Sequence, residues 1–341
     1  MKKILILGGG GFIGRNITEF LVKRGDCHVV AADIKQGSNW NELSLNHPAY
    51  FDSVLDDFTN TEAFQNLGSG FEEIYMLAAV VGVNRTIKEP DEVIRINTKL
   101  TTNVLEWVAK NPVKKILFSS SSENYAATTD LYDSEIPTSE DIPLCIGDIT
   151  HPRWTYAVTK MLGESAFIHS AKKLNYEYRI VRYQNIIGPE MGFGHAIPHI
   201  VERFVNKIEK PIKIYGHDQT RAFCYIDDAV KGTVGAMEST NHSNNIYHIG
   251  NDKEISMEEL TKFIGSVLEY EGPYENAMTY PGSVSRRCPN ITKAVSNFAY
   301  QPKVFWKDAV VKTVDWYKRY FESGSNPTTG GFEPPESVIA N

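Results

Sequence analysis

The chain has 341 residues, of which 42% are hydrophobic, so it can bury the core of one large α/β domain with a smaller lobe. Its formal net charge is −7 without basic tracts, which argues against nucleic acid or an anionic membrane as the main partner. No stretch reaches the roughly 18 apolar residues of a membrane span. The four cysteines form no CxxC pair, so we expect a cytoplasmic protein without a metal site.

Short apolar runs alternate with amphipathic stretches in the first half of the chain. Buried strands are predicted at residues 3–7, 29–32, 74–79, 115–119 and 178–183. Helices are predicted at residues 13–24, 94–109 and 156–173. The N-terminal run is too short for a signal peptide and leads straight into glycines, so it is predicted to be a strand. The alternation predicts an α/β fold with a Rossmann-type doubly wound parallel sheet in residues 1–188.

The pattern changes after residue 188, where prolines separate shorter elements and strand and helix signals mix. Residues 189–322 are therefore predicted to form a smaller mixed α/β lobe that binds the substrate. The chain is expected to rejoin the sheet at about residues 222–250. Residues 323–341 are rich in Gly, Pro and Ser, which predicts a flexible tail.

Three glycines, Gly8, Gly11 and Gly14, follow the first strand and open the first helix. Glycine at these places lets backbone N–H groups approach a pyrophosphate at the helix N-terminus. Asp33 ends the second strand, where a carboxylate can accept both ribose hydroxyls, which favours NAD over NADP. Lys35 lies close by and could accommodate a 2′-phosphate, so this choice stays open.

The ends of the next two strands complete the predicted cofactor site. Asp57 follows the third strand of the sheet, which lies between the strands predicted at residues 29–32 and 74–79, and a carboxylate there can accept the adenine amino group. Small residues at the end of the fourth strand, residues 74–79, let the cofactor lie close, although simple core packing explains them nearly as well. The residues predicted from these two strand ends are Asp57, Phe58, Leu77, Ala78 and Ala79.

Tyr156 and Lys160 are four residues apart and share one face of the predicted helix. A lysine ammonium near a tyrosine hydroxyl lowers the pKa of that tyrosine, which makes the tyrosinate a general base near neutral pH. A run of serines, residues 119–122, ends an earlier strand. One of these hydroxyls can hydrogen-bond a substrate hydroxyl that Tyr156 deprotonates while hydride leaves to NAD⁺.

Eight segments occur in the order found in one known family: GGGGFIG, LAA, FSSSSENY, TYAVTK, RYQNIIGPE, TRAFCYIDDAVKG, YHIGN and SRRCPNITKA. From residue 1 to about residue 320, the chain resembles the extended short-chain dehydrogenases of the NAD-dependent epimerase/dehydratase family. This resemblance implies NAD as cofactor and a nucleotide-activated sugar, linked to UDP, GDP, dTDP or CDP, as substrate.

The resemblance also implies a role for individual residues. Ser121 takes the place of the catalytic Ser/Thr, Tyr156 that of the base, and Lys160 that of its activator and ribose ligand. Further cofactor contacts are implied for Phe12, Ile13, Asn97, Ser119, Tyr183 and Ile186. Substrate contacts are implied for Ser121, Ser122, Asn185, His195, Ile197, Tyr215, Arg221 and Arg287. The two arginines suit the substrate phosphates because guanidinium grips phosphate oxygens bidentately.

The family shares oxidation of the sugar, usually at C4, by tightly held NAD⁺. Ser121-Ser122-Glu123 is similar to the Thr-Ser-Glu of dehydratases and decarboxylases, in which the acid removes the C5 proton or positions a uronate. The segment 151–154 and Arg287 are similar to the decarboxylases, whereas His195, residues 79–82 and Ala126 depart from their pattern. A lyase outcome, dehydration or decarboxylation, is therefore favoured over epimerisation.

The sequence alone leaves other functional hypotheses open. They are a 4-epimerase, an NAD(P)H-dependent 4-keto-sugar reductase and a non-catalytic dinucleotide-binding regulator, although such a regulator loses the Ser–Tyr–Lys set that this chain keeps. By analogy with the family, we expect a homodimer formed through the helices at residues 94–109 and 156–173.

Overall fold

The computed structural model describes residues 1–132, 134–279 and 283–325. Its strands are β1 (Lys2–Leu7), β2 (Cys27–Asp33), β3 (Phe51–Leu55), β4 (Glu73–Met76), β5 (Lys115–Ser121), β6 (Glu177–Tyr183), β7 (Asn185–Ile187), β8 (Ile212–Tyr215), β9 (Thr220–Tyr225), β10 (Asn245–Ile249), β11 (Glu254–Ser256), β12 (Tyr274–Ala277) and β13 (Arg286–Arg287). Its α-helices are α1 (Phe12–Arg24), α2 (Trp40–Asn46), α3 (Val83–Lys88), α4 (Pro90–Val108), α5 (Ala126–Leu131), α6 (Trp154–Leu174), α7 (Ala196–Val205), α8 (Ile226–Glu238), α9 (Met257–Val267), α10 (Thr292–Phe298) and α11 (Trp306–Glu322). None of these described helices has both the length and the apolar character needed to cross a membrane.

Seven strands of the described residues form one parallel sheet in the order β10-β6-β5-β4-β1-β2-β3. The central strands are apolar along their length because helices cover both faces of the sheet. On one face, Val104 of α4 and Phe167 of α6 pack in a core with Phe118 of β5. On the other, Ile17 of α1 and Val234 of α8 pack in the second core. The predicted doubly wound α/β fold is confirmed.

The order of the strands places a crevice between β1 and β4. From β1 the chain proceeds to β2 and β3 on one side and then crosses back to β4 on the other. At such a reversal the loops after the two strands diverge, and ligands of doubly wound sheets bind at the carboxyl ends there. The predicted glycine loop follows β1, and Leu77, Ala78 and Ala79, predicted as the end of the fourth strand, follow β4.

The smaller lobe has its own sheet, in which β9 pairs with β7, β11 and β13. Within the predicted range 222–250, the chain rejoins the main sheet only at β10, which pairs with β6, whereas β9 at the start of that range belongs to the small sheet. An apolar run shows that a strand is buried but not which sheet buries it. Of the predicted flexible tail, residues 326–341 lie outside the described residues, and α11 ends just before it.

Candidate active site

The loop between β1 and α1 passes so close to β4 that side chains have no room. Gly8 adopts a φ of +87°, and a Cβ there would lie 2.5 Å from the backbone nitrogen of Ala78. A Cβ at Gly14 would overlap the carbonyl oxygen of Gly8. Gly11 precedes the first turn of α1, so the bare backbone of this loop faces the crevice at a helix N-terminus. The loop thus fits a pyrophosphate, as predicted for a dinucleotide.

Asp33 lies over the same loop at the end of β2. Its Oδ2 accepts a hydrogen bond from the backbone N–H of Gly10 at 3.0 Å, and its Oδ1 accepts one from the backbone N–H of Lys35 at 3.1 Å. These bonds fix a carboxylate beside the glycine loop, which is where the ribose of a dinucleotide follows the pyrophosphate.

The loops after β3 and β4 are held by side-chain amides. Asn103 donates to the backbone oxygens of Phe58 and Thr59 at 3.1 and 2.9 Å, a contact that the sequence did not reveal. Asn97, predicted to contact the cofactor, pairs with both backbone groups of Val80, at 2.7 Å to the nitrogen and 3.2 Å to the oxygen. Its geometry therefore supports the loop that borders the crevice.

Ser121, Tyr156 and Lys160 come together as predicted, from the end of β5 and the first two turns of α6. Ser121 hydrogen-bonds the hydroxyl of Tyr156, and its Oγ accepts the backbone N–H of Glu123 at 3.2 Å. The Lys160 ammonium donates to the backbone oxygen of Ser119 at 2.7 Å and lies 5.6 Å from the centre of the Tyr156 ring. A phenol with a neighbouring hydroxyl can transfer the proton of a sugar hydroxyl.

Glu123 lies next to this set, in the 3-10 turn Ser122–Tyr125, between two guanidinium groups. Its Oε1 accepts a hydrogen bond from Nη1 of Arg287 at 2.6 Å, and its Oε2 accepts one from Nη2 of Arg153 at 3.1 Å. Burial alone would raise the pKa of Glu123, although 26% of its side chain is exposed. The two arginines outweigh that effect and lower the pKa to about 2.

Arg221 and Arg287 are register partners on the neighbouring strands β9 and β13. Burial, followed by the positive charge of Arg287, lowers the pKa of Arg221 to about 9. Asn185 lies near Arg221, because its side-chain amide donates to the backbone oxygen of the next residue, Ala222, at 3.1 Å. Two guanidinium groups held side by side at the edge of the lobe suit a ligand with several negative charges.

Other predicted site residues have contacts that hold the scaffold. Tyr183 hydrogen-bonds Thr233 of α8 at 2.8 Å. Ser122, Ile186 and Ile197 are buried, and His195 is an exposed residue before α7. The ring of Tyr215 lies under the guanidinium of Arg203 at 5.0 Å. The ligand contacts of these residues stay predictions.

A comparison with known families now identifies the chain. The NAD dependent epimerase/dehydratase family matches residues 4–250. The chain belongs to this family. The predictions of the family, of an NAD-dependent enzyme and of NAD as its cofactor are confirmed.

The relatives of this chain include nucleotide-sugar decarboxylases and epimerases. A UDP-N-acetyl-α-D-glucosaminuronate decarboxylase from Bacillus cytotoxicus is 31% identical over 330 residues, covering 93% of this chain and 98% of the relative. UDP-glucuronic acid decarboxylase 1 from Xenopus tropicalis is 28% identical, with 95% of this chain and 74% of the relative covered. A solved UDP-glucuronic acid 4-epimerase from Bacillus cereus, in complex with UDP-glucuronic acid and NAD, has a TM-score of 0.79 and 27% identity, with 93% and 99% covered.

The pKa of Tyr156 differs from the expectation drawn from the sequence. The sequence predicts that Lys160 lowers the pKa of Tyr156. In the structure, burial and the negative charge of Glu123 raise the pKa of Tyr156, while the hydrogen bond with Ser121 opposes them. Lys160 does not offset this because its ammonium points at the backbone of Ser119, and burial lowers its own pKa to about 7. The predicted lowering of the pKa of Tyr156 by Lys160 is therefore not what the contacts in this structure produce.

The sequence analysis also missed a buried ion pair beneath the site. Arg182 of β6 binds both carboxylate oxygens of Glu164 of α6 at 2.8 Å. The same carboxylate accepts hydrogen bonds from Ser120 at 2.5 Å and from Asn124 at 2.9 Å. Glu164 thus fixes the residues beside Ser121 and Glu123 to the helix that carries Tyr156. Only its spacing of one turn after Lys160 could have indicated this role.

Proposed function

We propose that this enzyme decarboxylates a UDP-linked hexuronate. The observation that carries the proposal is the pair of guanidinium groups, Arg153 and Arg287, which meet one carboxylate, Glu123, beside Tyr156. A further guanidinium, that of Arg221, lies next to Arg287. Such an excess of positive charge complements a substrate with a diphosphate and a sugar carboxylate.

The first step uses the cofactor end of the crevice. NAD, when bound, accepts hydride from C4 of the sugar and returns it, and the positive charge of its oxidised ring lowers the pKa of a phenol nearby. The glycine loop would hold its pyrophosphate and Asp33 its ribose. Tyr156 would take the proton of the C4 hydroxyl, oriented by Ser121, as hydride leaves. Lys160 would bind the ribose hydroxyls.

Loss of CO₂ then requires no further titrating group. In a 4-keto uronate the carboxylate is β to the new ketone. The C5–C6 bond breaks, its electron pair moves into the C4–C5 bond, and the C4 oxygen takes the proton of Tyr156 as CO₂ departs. Water gives a proton to C5, and the ketone re-forms as the enol returns its proton to Tyr156. Hydride then returns to C4 while Tyr156 gives the same proton to the C4 oxygen, which completes the cycle. Arg287 would hold the uronate in the position from which this bond breaks.

Dehydration is the less suitable outcome because it needs an acid or base that changes its protonation. A base must remove the C5 proton and an acid must help the C6 hydroxyl leave. With a pKa lowered to about 2, Glu123 is a weak base and stays ionised at neutral pH. The two ion pairs that keep Glu123 ionised thus favour decarboxylation over dehydration, the two lyase outcomes that the sequence left open.

A 4-epimerase acting on a uronate is the second candidate. It is supported by the likeness to the Bacillus cereus structure, which holds UDP-glucuronic acid and NAD. An epimerase would return hydride to the opposite face of C4 before CO₂ leaves. The 31% identity to a uronate decarboxylase favours the first candidate.

The decisive experiment is incubation of the purified protein with UDP-glucuronate, UDP-N-acetylglucosaminuronate, UDP-glucose, and GDP-, dTDP- and CDP-sugars, followed by mass spectrometry and NMR. Loss of CO₂ from a UDP-uronate is expected. Loss of water from a neutral sugar, or an unchanged mass with altered ring couplings, would contradict the proposal in favour of a dehydratase or an epimerase.

A matched pair of variants tests the charge cluster. Glu123→Gln is expected to slow CO₂ release while sparing C4 oxidation, read from the absorbance of reduced nicotinamide. Glu254→Gln removes another arginine-paired carboxylate, bound to Arg286 at 2.6 Å, and is expected to leave both steps unchanged. If Glu123→Gln also leaves both unchanged, Glu123 is only a loop carboxylate.

We further propose a cytoplasmic homodimer. The helices α4 and α6 pack together, and they expose large apolar side chains, Ile94 and Leu162. All four cysteines are free, which suits a reducing compartment. Light scattering of the wild type and of Leu162→Glu tests the dimer, which the charged variant is expected to weaken.

A further inference from the structure

Arg153 links the helix that carries Tyr156 to Glu123. It immediately precedes α6, three residues before Tyr156, and its Nη2 donates to Oε2 of Glu123 at 3.1 Å. Its guanidinium lies 5.4 Å from the ring centre of Trp154, and 17% of its side chain is exposed. Arg153 therefore connects the first turn of the catalytic helix to the turn that follows Ser121.

Arg287 has a hydrogen-bond donor that Glu123 does not use. Its Nη1 donates to Glu123 at 2.6 Å, but its Nε is buried and has no hydrogen-bond partner among the described residues. The side chain is 9% exposed. A buried donor without a partner destabilises the site. An anion that enters the site and binds Arg287 would remove that destabilisation.

A substrate carboxylate on Arg287 would bring two anions to one guanidinium. If Arg287 alone held Glu123, sharing it with a uronate would leave Glu123 undercompensated, and Glu123 would take up a proton. Because Arg153 binds the other oxygen of Glu123, that carboxylate stays ionised when Arg287 turns to the substrate. The two guanidinium groups would then face two carboxylates.

We propose that Arg153 is a positioning residue that keeps Glu123 as a fixed anion beside the carboxylate of the substrate. This inference rests on the proposed decarboxylation of a UDP-uronate. Glu123 then repels the substrate carboxylate, and the repulsion disappears when that carboxylate leaves as neutral CO₂. Interactions that are relieved in the transition state raise the rate without tightening the binding of the substrate.

The same arrangement selects against neutral sugars. A hydroxymethyl group on C5 leaves the buried Nε donor of Arg287 without an anion to bind. The charged or titratable groups that face Glu123 are Arg153, Tyr156, Arg221 and Arg287. Asp130 lies near Arg287, but its carboxylate is exposed and bonded to Ser285 at 3.3 and 3.2 Å.

The test compares Arg153→Met, which removes the charge, with Arg153→Lys, which keeps it. Arg286→Met is the matched control, since Arg286 is the neighbour of Arg287 but binds Glu254. CO₂ release and C4 oxidation are followed separately across pH with a UDP-uronate, and thermal unfolding shows whether each variant is folded.

For Arg153→Met, kcat for CO₂ release is expected to fall about tenfold with KM changed by less than about threefold, the pattern of an interaction expressed in the transition state. The acid limb of its pH–rate profile is expected to move up by about 1 pH unit, because Glu123 loses one of its two cations. Arg153→Lys is expected to restore much of the kcat for CO₂ release and of the wild-type acid limb. Arg286→Met is expected to match the wild type in both properties.

Two results would overturn the inference without touching the proposed function. One is a folded Arg153→Met enzyme with the wild-type pH profile and CO₂ release. The other is an Arg153→Lys enzyme that is as impaired as Arg153→Met although it is folded, which would show that charge is not the cause. A wild-type enzyme that oxidises a uronate but never releases CO₂ would instead contradict the proposed function itself.

Discussion

The cofactor end of the crevice is built from backbone, whereas the sugar end is built from charged side chains. At the first, Gly8 and Gly14 leave no space for a Cβ, and the main chain itself is expected to contact the pyrophosphate of NAD. At the second, Glu123 joins Arg153, 30 residues away in sequence, to Arg287, 164 residues away. We therefore expect NAD binding at the first end to be weakened by added side-chain atoms. We expect catalysis at the second end to be weakened by the loss of a charged group.

The largest effect is expected where the two ends meet, at Tyr156. Tyr156→Phe keeps the ring and removes the hydroxyl that moves the proton, so the rate of C4 oxidation is expected to fall at least about a hundredfold. NAD is expected to stay bound, because the glycine loop does not depend on this hydroxyl. Activity is measured with a UDP-uronate and bound NAD by extraction. Wild-type activity of Tyr156→Phe would contradict the mechanism.

The backbone end could be predicted from sequence because its signals are local. A strand, a glycine loop and a helix follow one another within residues 2–24, and Asp33 ends the next strand. The charged end could be predicted only in part. Glu123 and Arg287 were expected from the resemblance. Arg153 was noted only within the segment 151–154 and not as a site residue, because no spacing shows that an arginine before α6 meets a turn after β5.

The sequence could not show the direction of the pKa shift of Tyr156 for a related reason. Spacing along a helix places Lys160 on the same face as Tyr156, but it does not show to which acceptor the ammonium turns. The ammonium of Lys160 donates to the backbone oxygen of Ser119. The charge that acts on Tyr156 is the negative charge of Glu123, which lies in another segment of the chain. Such balances depend on tertiary contacts that periodicity does not contain.

A second variant sharpens the claim that the cofactor end fails when atoms are added. Gly8→Ala places a methyl group against the backbone of Ala78, so NAD retained on purification is expected to fall at least about tenfold. Gly70→Ala is the control, since Gly70 has a similar φ of +80° but open space around its Cβ position. It carries only the cost of a left-handed conformation, about 1–2 kcal/mol. Equal NAD content in both variants would contradict the steric explanation.

Asp33 differs from the glycines of the cofactor end because it acts through its side chain. Its carboxylate is expected to set the preference for NAD over NADP. Asp33→Ser removes hydrogen bonds to a charged group, worth about 1.5–3 kcal/mol, so the preference for NAD over NADP should fall about tenfold. Asp52→Ser on the neighbouring β3 removes an exposed carboxylate as a control. Titration of both dinucleotides measures the ratio, and an unchanged preference would assign the choice to another residue.

The smallest expected effect is the contribution of Glu123, at the charged end, to the free energy of unfolding. Because the folded state lowers the pKa of Glu123 from 4.5 to about 2, its ionised form stabilises the fold at pH values above 4.5, and this contribution is lost as the pH falls towards 2. The difference in free energy of unfolding between wild type and Glu123→Gln, about 1 kcal/mol after solvent screening, should therefore be constant at neutral pH and shrink across that acidic interval. Urea unfolding across pH measures it, with the exposed Glu271→Gln as a control. A difference that does not change with pH would mean that the two arginines position Glu123 without holding its charge, and the sugar end would then differ from the cofactor end in geometry alone.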